Sequence, residues 1–152
     1  MYKLLSRLKF TIRLGVLCAI ISLLISFQEM EGVVIVHPSN ATNEMTISQA
    51  KLFYTRKIKR YWPNNMPIRP VALKGKTGLQ TSFYHKVLRM SQEEVEGYFK
   101  QRQFANAESA PVEVSSESEM VEYVSNNGGA IGFVSASVAE ANKGKVKILC
   151  RF

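Results

Sequence analysis

The chain has 152 residues, enough for one domain, with 46% apolar residues, a formal net charge of +8 and a pI of about 9.6. That apolar share excludes wholesale disorder. All 12 acidic residues are Glu, which excludes Asp-based metal loops and Asp-centred triads.

The N-terminus comes first. Lys3, Arg7, Lys9 and Arg13 precede a run from Leu14 to Phe27 that is 14 residues long and carries no charge. A basic stretch ahead of such an apolar run reads as a secretory signal. The run falls short of the ~20 residues that comfortably span a bilayer. Ser26, with Leu24 two positions before it, is a poor small-x-small cleavage site. A cleaved signal over residues 1–30 and a retained anchor, with residues 10–27 as tether, therefore both stay open. Leu17 before Cys18 does not make a lipoprotein site. In either case the positive end stays in the cytoplasm. Residues 31–152 are then expected on the far side, in the periplasm, as one domain.

From Glu31 onward, 16 Lys and Arg face 11 Glu. That mild excess favours anions or an acidic surface. No RNA-binding signature or zinc-finger spacing accompanies it, so nucleic acid is not an expected partner. Cys150 has no partner outside the apolar run, so the chain is not a disulfide scaffold.

Val33 to Val36 is β-branched and reads as a buried strand, stopped by His37-Pro38-Ser39-Asn40. Thr46 and Gln49 form a capping box that opens a helix with Ile47, Ala50, Phe53 and Tyr54 on one side. The basic stretch Arg56 to Arg60 and the turn Tyr61-Trp62-Pro63 end it. Ile68 to Leu73 is a second strand, and Lys74 to Gly78 is a loop. Leu79, Phe83 and Val87 recur at helical spacing. Ser91 with Glu94, and Ser116 with Glu119, open two further helices. Val112 to Val114, Ala130 to Val134 and Val146 to Leu149 are strands; Ser135 to Ala141 is a short helix. Asn127-Gly128-Gly129 predicts a left-handed helix stop. This alternation predicts an α/β fold with a largely parallel sheet flanked by helices.

No acid, base or nucleophile constellation stands out, and no enzyme, metal site or cofactor is expected. His37 and His85 lie apart without metal-ligand spacing, and Glu93, Glu94 and Glu96 suit a solvated first helical turn. Gly75-Lys76-Thr77 resembles the end of a P-loop, but Pro70 stands where that loop needs Gly. Two local features stay open. Lys74, Lys76, Thr77 and Gly78 lie between a strand and a helix, where helix N–H groups suit a small oxyanion; the local sequence alone favours an ordinary solvated turn. Arg56, Lys57, Lys59 and Arg60 with Trp62 suit a docking surface; the local sequence favours a helix C-terminus with core aromatics, although four cations in five residues exceed what the dipole requires.

Together the segments resemble the phosphate-type substrate-binding proteins of ABC transporters. The similarity runs through Val33 to Asn40, Thr46 to Trp62, Tyr98 to Phe104 and Gly129-Ala130-Ile131-Gly132-Phe133-Val134. The matching segments are those of the family's second lobe. The resemblance implies a single lobe, an oxyanion held by Thr77, Gly78, Lys74 and Lys76, with Ser39 and Asn40 from the first loop, and a link to phosphate uptake. Phe83 falls five residues after Gly78, as in the family's phosphate loop, which puts Thr77 at its Ser and Leu73 at its Arg. A bidentate Arg is the strongest oxyanion ligand, and it is replaced here. Three expectations follow: weak oxyanion binding; a module that has kept the fold and docks on a membrane transporter, sensor or porin; or a dimer that rebuilds a cleft.

Overall fold

The structure, a computed structural model, describes residues 31–57, 61–105 and 110–152. The expected signal or anchor, Lys59 and Arg60 lie outside them. Among the described residues no helix is long and apolar enough to cross a membrane.

Five strands form one sheet: β1 (Gly32–Val36), β2 (Arg69–Leu73), β3 (Val112–Val114), β4 (Ala130–Ser135) and β5 (Lys147–Arg151). Their order is β3-β2-β4-β1-β5. The helices are α1 (Ile47–Tyr54), α2 (Gly78–Phe83) running into a π turn (Tyr84–Leu88), α3 (Gln92–Phe104), α4 (Glu117–Asn126) and α5 (Ala136–Ala141).

The largely parallel sheet is corrected to a mixed one. β2 runs parallel to β3 and β4, but β1 is antiparallel to both β4 and β5. The cause lies between Val36 and Arg69. There the eight-residue α1 sits between two irregular stretches, so the chain leaves and re-enters the sheet at the same end. A single crossover helix would have carried it to the other end.

Side-chain alternation along β4 assigns the helices to two layers. Phe133 stacks on Phe83 at 4.0 Å and lies 6.2 Å from Tyr54, so α1 and α2 cover one face. Gly132 points the other way, toward Met120 and Val124 of α4. Tyr98 of α3 donates to the Thr55 carbonyl, which ties α3 to the α1 side. Tyr54 is buried, and its hydroxyl lies within donating distance of the Val71 and Ile131 carbonyls, 3.0 and 3.1 Å away. That contact fixes α1 across β2 and β4, and burial holds the phenol well above its ordinary pKa.

The capping boxes at Thr46 and Ser91 are both complete. Ser116 caps Glu119, but the Glu119 carboxylate bonds the Ser115 amide instead of the cap's own. The helix through Leu79, Phe83 and Val87 buries all three, yet it widens to π geometry at Tyr84 and ends on Arg89 at φ 58°. The left-handed stop at Asn127-Gly128-Gly129 is also corrected: Asn127 has φ −132° and neither glycine has positive φ. These glycines answer close approach. A Cβ on Gly129 would sit 2.2 Å from the Pro67 carbonyl oxygen, and one on Gly128 2.8 Å from Met66.

Candidate functional site

Strand directions divide the predicted oxyanion residues. The C-terminal ends of β2, β3 and β4 share one sheet edge with the start of β1. Lys74, Lys76, Thr77 and Gly78 follow β2 there. Ser39 and Asn40 follow the end of β1, which pairs with the beginning of β4 at the opposite edge. The structure therefore does not bring Ser39 and Asn40 to the Lys74–Gly78 loop. Asn40 is 3% exposed and works locally: its side chain accepts from the Thr42 amide, and its carbonyl accepts from Lys147. Ser39 is within 2.7 Å of His37 Nδ1, closing the same loop. A parallel sheet would have gathered both loops, and the antiparallel β1 is what separates them.

The β2–α2 loop is built around Gln80. Gly75 takes φ 83°, where glycine carries no Cβ penalty. Its carbonyl accepts from the side chain of Gln80, which is 1% exposed. Thr77 is the N-cap of α2, and its hydroxyl oxygen accepts from the Gln80 amide at 3.1 Å. Gly78 and Leu79 carry the first N–H groups of the helix, which have no acceptor within it. A Cβ built on Gly78 meets nothing within 4 Å and Gly78 is exposed, whereas Leu79 is buried. Lys74 is exposed at the start of the loop, and its backbone is fixed by donation to the Val114 carbonyl.

Lys76 is engaged elsewhere. Its ammonium lies 2.9 Å from Glu93 at the start of α3. The hydrogen bond from Lys76 is the main reason that the Glu93 carboxyl is pulled down to about 2, and Lys76 is raised in turn. Both side chains are about 70% exposed, so the pair adds little stability. Leu73, at the position of the family's Arg, is a buried core residue, 3% exposed.

The same edge holds two more helix starts. Glu117, in the first turn of α4, accepts from the Ser135 amide at 2.6 Å and from its hydroxyl at 2.7 Å. A carboxylate of the chain thus fills the place in front of α5. The front of α4 is closed by the Ser116 cap. Thr77 caps α2 in the same way, and what distinguishes that helix start is an exposed Gly78 at its first position. Sequence reasoning did not find the Glu117–Ser135 contact, because nothing local links residues 18 apart.

The cation and aromatic patch also changes. Trp62 is 2% exposed and donates from Nε1 to the Gly129 carbonyl at 3.0 Å. It is part of the core, not a docking aromatic. Its ring meets Phe53 edge-on, which explains why an aromatic follows the basic stretch. Arg56 is half-buried at φ 52° and Lys57 is exposed. Among the described residues no group of three or more His, Cys or Glu is placed to hold a metal ion.

Against known proteins, no family profile matches the chain. No curated relative matches it in sequence. Solved structures do match in fold. A protein of Clostridium perfringens, described as a phosphate ABC transporter substrate-binding protein with bound phosphate, superimposes with a TM-score of 0.60 at 21% identity. The match covers 78% of this chain and 43% of that one. An ABC-type phosphate transport receptor of Vibrio cholerae gives a TM-score of 0.60 at 20% identity, over 80% of this chain and 50% of that one. PstS of Borrelia burgdorferi gives 0.59 at 18%, over 78% and 46%. The chain therefore has the α/β fold of one lobe of phosphate-type substrate-binding proteins. It spans half or less of the length of these structures.

Proposed function

We propose that this chain is an exported, phosphate-type solute-binding-like module that holds a small oxyanion weakly at the head of α2. The observation that carries this reading is the Thr77–Gly78 helix start. It lies at the carboxyl edge of β2, with open space over Gly78 and Lys74 beside it. Helix N–H groups and their dipole favour an anion there. The Thr77 oxygen already accepts from Gln80, so its proton is left to donate outward. The fold shared with phosphate-binding proteins supports the choice of phosphate, and the basic segment ahead of an uncharged run supports export to the periplasm. No cofactor and no catalytic group is required.

Leu73 in place of an Arg, and Lys76 diverted to Glu93, weaken the site. Those two observations also favour a second reading. Under it the module docks on a membrane transporter, sensor or porin, with Lys57 and Arg56 at its basic end and Lys59 and Arg60 beyond.

Amide NMR shifts under phosphate titration separate the two. Thr77→Asp keeps an N-cap side chain but sets a negative charge against the ligand. Shifts at Lys74 to Leu79 that vanish in Thr77→Asp and persist in Thr77→Ser support the oxyanion site. Shifts unaltered by Thr77→Asp would place any phosphate elsewhere and leave the docking reading.

A further inference from the structure

A second concavity does not use the Lys74–Gly78 loop. A cavity of about 230 Å³ lies between α3 and the β2–β3 edge of the sheet. Strand register sets Ala72 beside Glu113 on its floor, and Val95 and Phe99 of α3 form its apolar wall. Tyr84, from the π turn, closes the inner end.

Two of the polar groups around this floor, Tyr84 and Gln92, carry an oxygen without a partner. Tyr84 is 7% exposed, and its hydroxyl has no hydrogen-bond partner among the described residues. Gln92 Oε1 is buried without a partner as well. Its orientation is fixed, because Gln92 Nε2 donates to Glu96 at 2.7 Å and a flipped amide would set oxygen against oxygen. Neither Glu96 nor Glu113 belongs to an ion pair among the described residues. Lys100 also lines the cavity, but it is exposed and pairs with neither carboxylate. Burial, and then the charges of Glu113 and Glu96, push the Tyr84 phenol up to about 12, so it stays protonated.

Buried polar atoms without partners cost free energy unless a ligand completes them. The unpartnered Tyr84 and Gln92 oxygens, with the exposed carboxylates of Glu96 and Glu113 beside an aromatic and aliphatic floor, call for a flat cation rich in N–H donors. A guanidinium has five donors in a plane and stacks on aromatic rings. We propose that this cavity binds a guanidinium group, carried either by a free arginine-like solute or by an arginine of an extended partner segment. The proposal is independent of the oxyanion reading, since none of its residues belongs to that site.

The test uses the 152-residue chain and n-propylguanidinium, with n-propylurea as the neutral isostere. Amides of α3 and β3 should shift with the cation and not with the urea. A Glu96→Gln, Glu113→Gln double variant should weaken binding about tenfold or more, as expected when charge-assisted hydrogen bonds become neutral ones. Tyr84→Phe, which keeps the ring in the core, should weaken it less. An alanine pentapeptide with central arginine, against its citrulline version, identifies the source. Tighter binding of the arginine peptide than of n-propylguanidinium supports a protein segment, and equal binding supports a free solute. Binding of the urea or the citrulline peptide as tight as that of its charged counterpart would show only an apolar void and overturn the proposal. So would equal binding by the double variant, or no shift with n-propylguanidinium at tens of millimolar.

Discussion

Under the proposed reading Thr77 does two jobs with one oxygen. Its lone pair caps Gln80, and its proton remains for a ligand, so its removal confounds helix stability with binding. A Thr77→Val variant should cost about 1 kcal/mol of stability as a lost cap, seen as a lower denaturant midpoint. For that reason Thr77→Asp is the better probe of the site. Lys76 gives a second prediction at this scale. Glu93→Gln should release the ammonium toward the head of α2 and tighten phosphate binding severalfold, read by NMR titration. Unchanged affinity would mean that Lys76 does not reach the ligand. The Glu93 titration is itself a check. With Lys76 present its midpoint is about 2, and Lys76→Ala should raise it toward the ordinary carboxylate range. A depressed carboxyl stabilises the fold above its unfolded pKa, and that contribution is lost as pH falls through about 2. Because both groups are exposed, stability should hardly change over mildly acidic pH. The place of Thr77 and Gly78 at the start of a helix after β2 was legible, because Leu79, Phe83 and Val87 recur at helical spacing. Ser39 and Asn40 were misplaced because their position depends on strand direction. Glu117 was invisible because its partner, Ser135, is distant in sequence.

At the level of elements, local signals were reliable and their assembly was not. Caps at Thr46 and Ser91 form the boxes that their residue pairs predict, since a hydroxyl and an amide three residues apart suffice. The direction of β1 depended on how the chain turns through Pro38 to Ile68, which no short pattern records. Gly128 and Gly129 likewise read as a helix stop, whereas tertiary approach of Met66 and Pro67 selects them. Gly129→Ala should therefore destabilise the fold by about 1–3 kcal/mol through overpacking, measured by urea unfolding. A neutral substitution would show that the Trp62 to Ile68 segment yields easily. Phe83 meets Phe133, Tyr54 and Phe152, and it joins α2 to the sheet. Phe83→Ala should cost about 3–5 kcal/mol, and it should loosen the Thr77 loop along with the core.

Taken whole, the described residues have the α/β fold of one lobe of longer phosphate-type substrate-binding proteins. The match covers half or less of the similar structures, and under the proposed reading this lobe offers one wall of a site. An oxyanion on one wall keeps much of its water and meets an exposed lysine, so its binding should weaken as salt rises. The net charge of the described domain is compatible with that steering, since Lys and Arg exceed Glu from residue 31 onward. The most direct test is calorimetry of the 152-residue chain with phosphate, using sulfate as control. We predict phosphate-selective heat with a dissociation constant on the order of 1 mM, a free energy of only about −4 kcal/mol, and its loss in Thr77→Asp. No heat beyond the sulfate control would contradict the oxyanion site and make this lobe a docking surface.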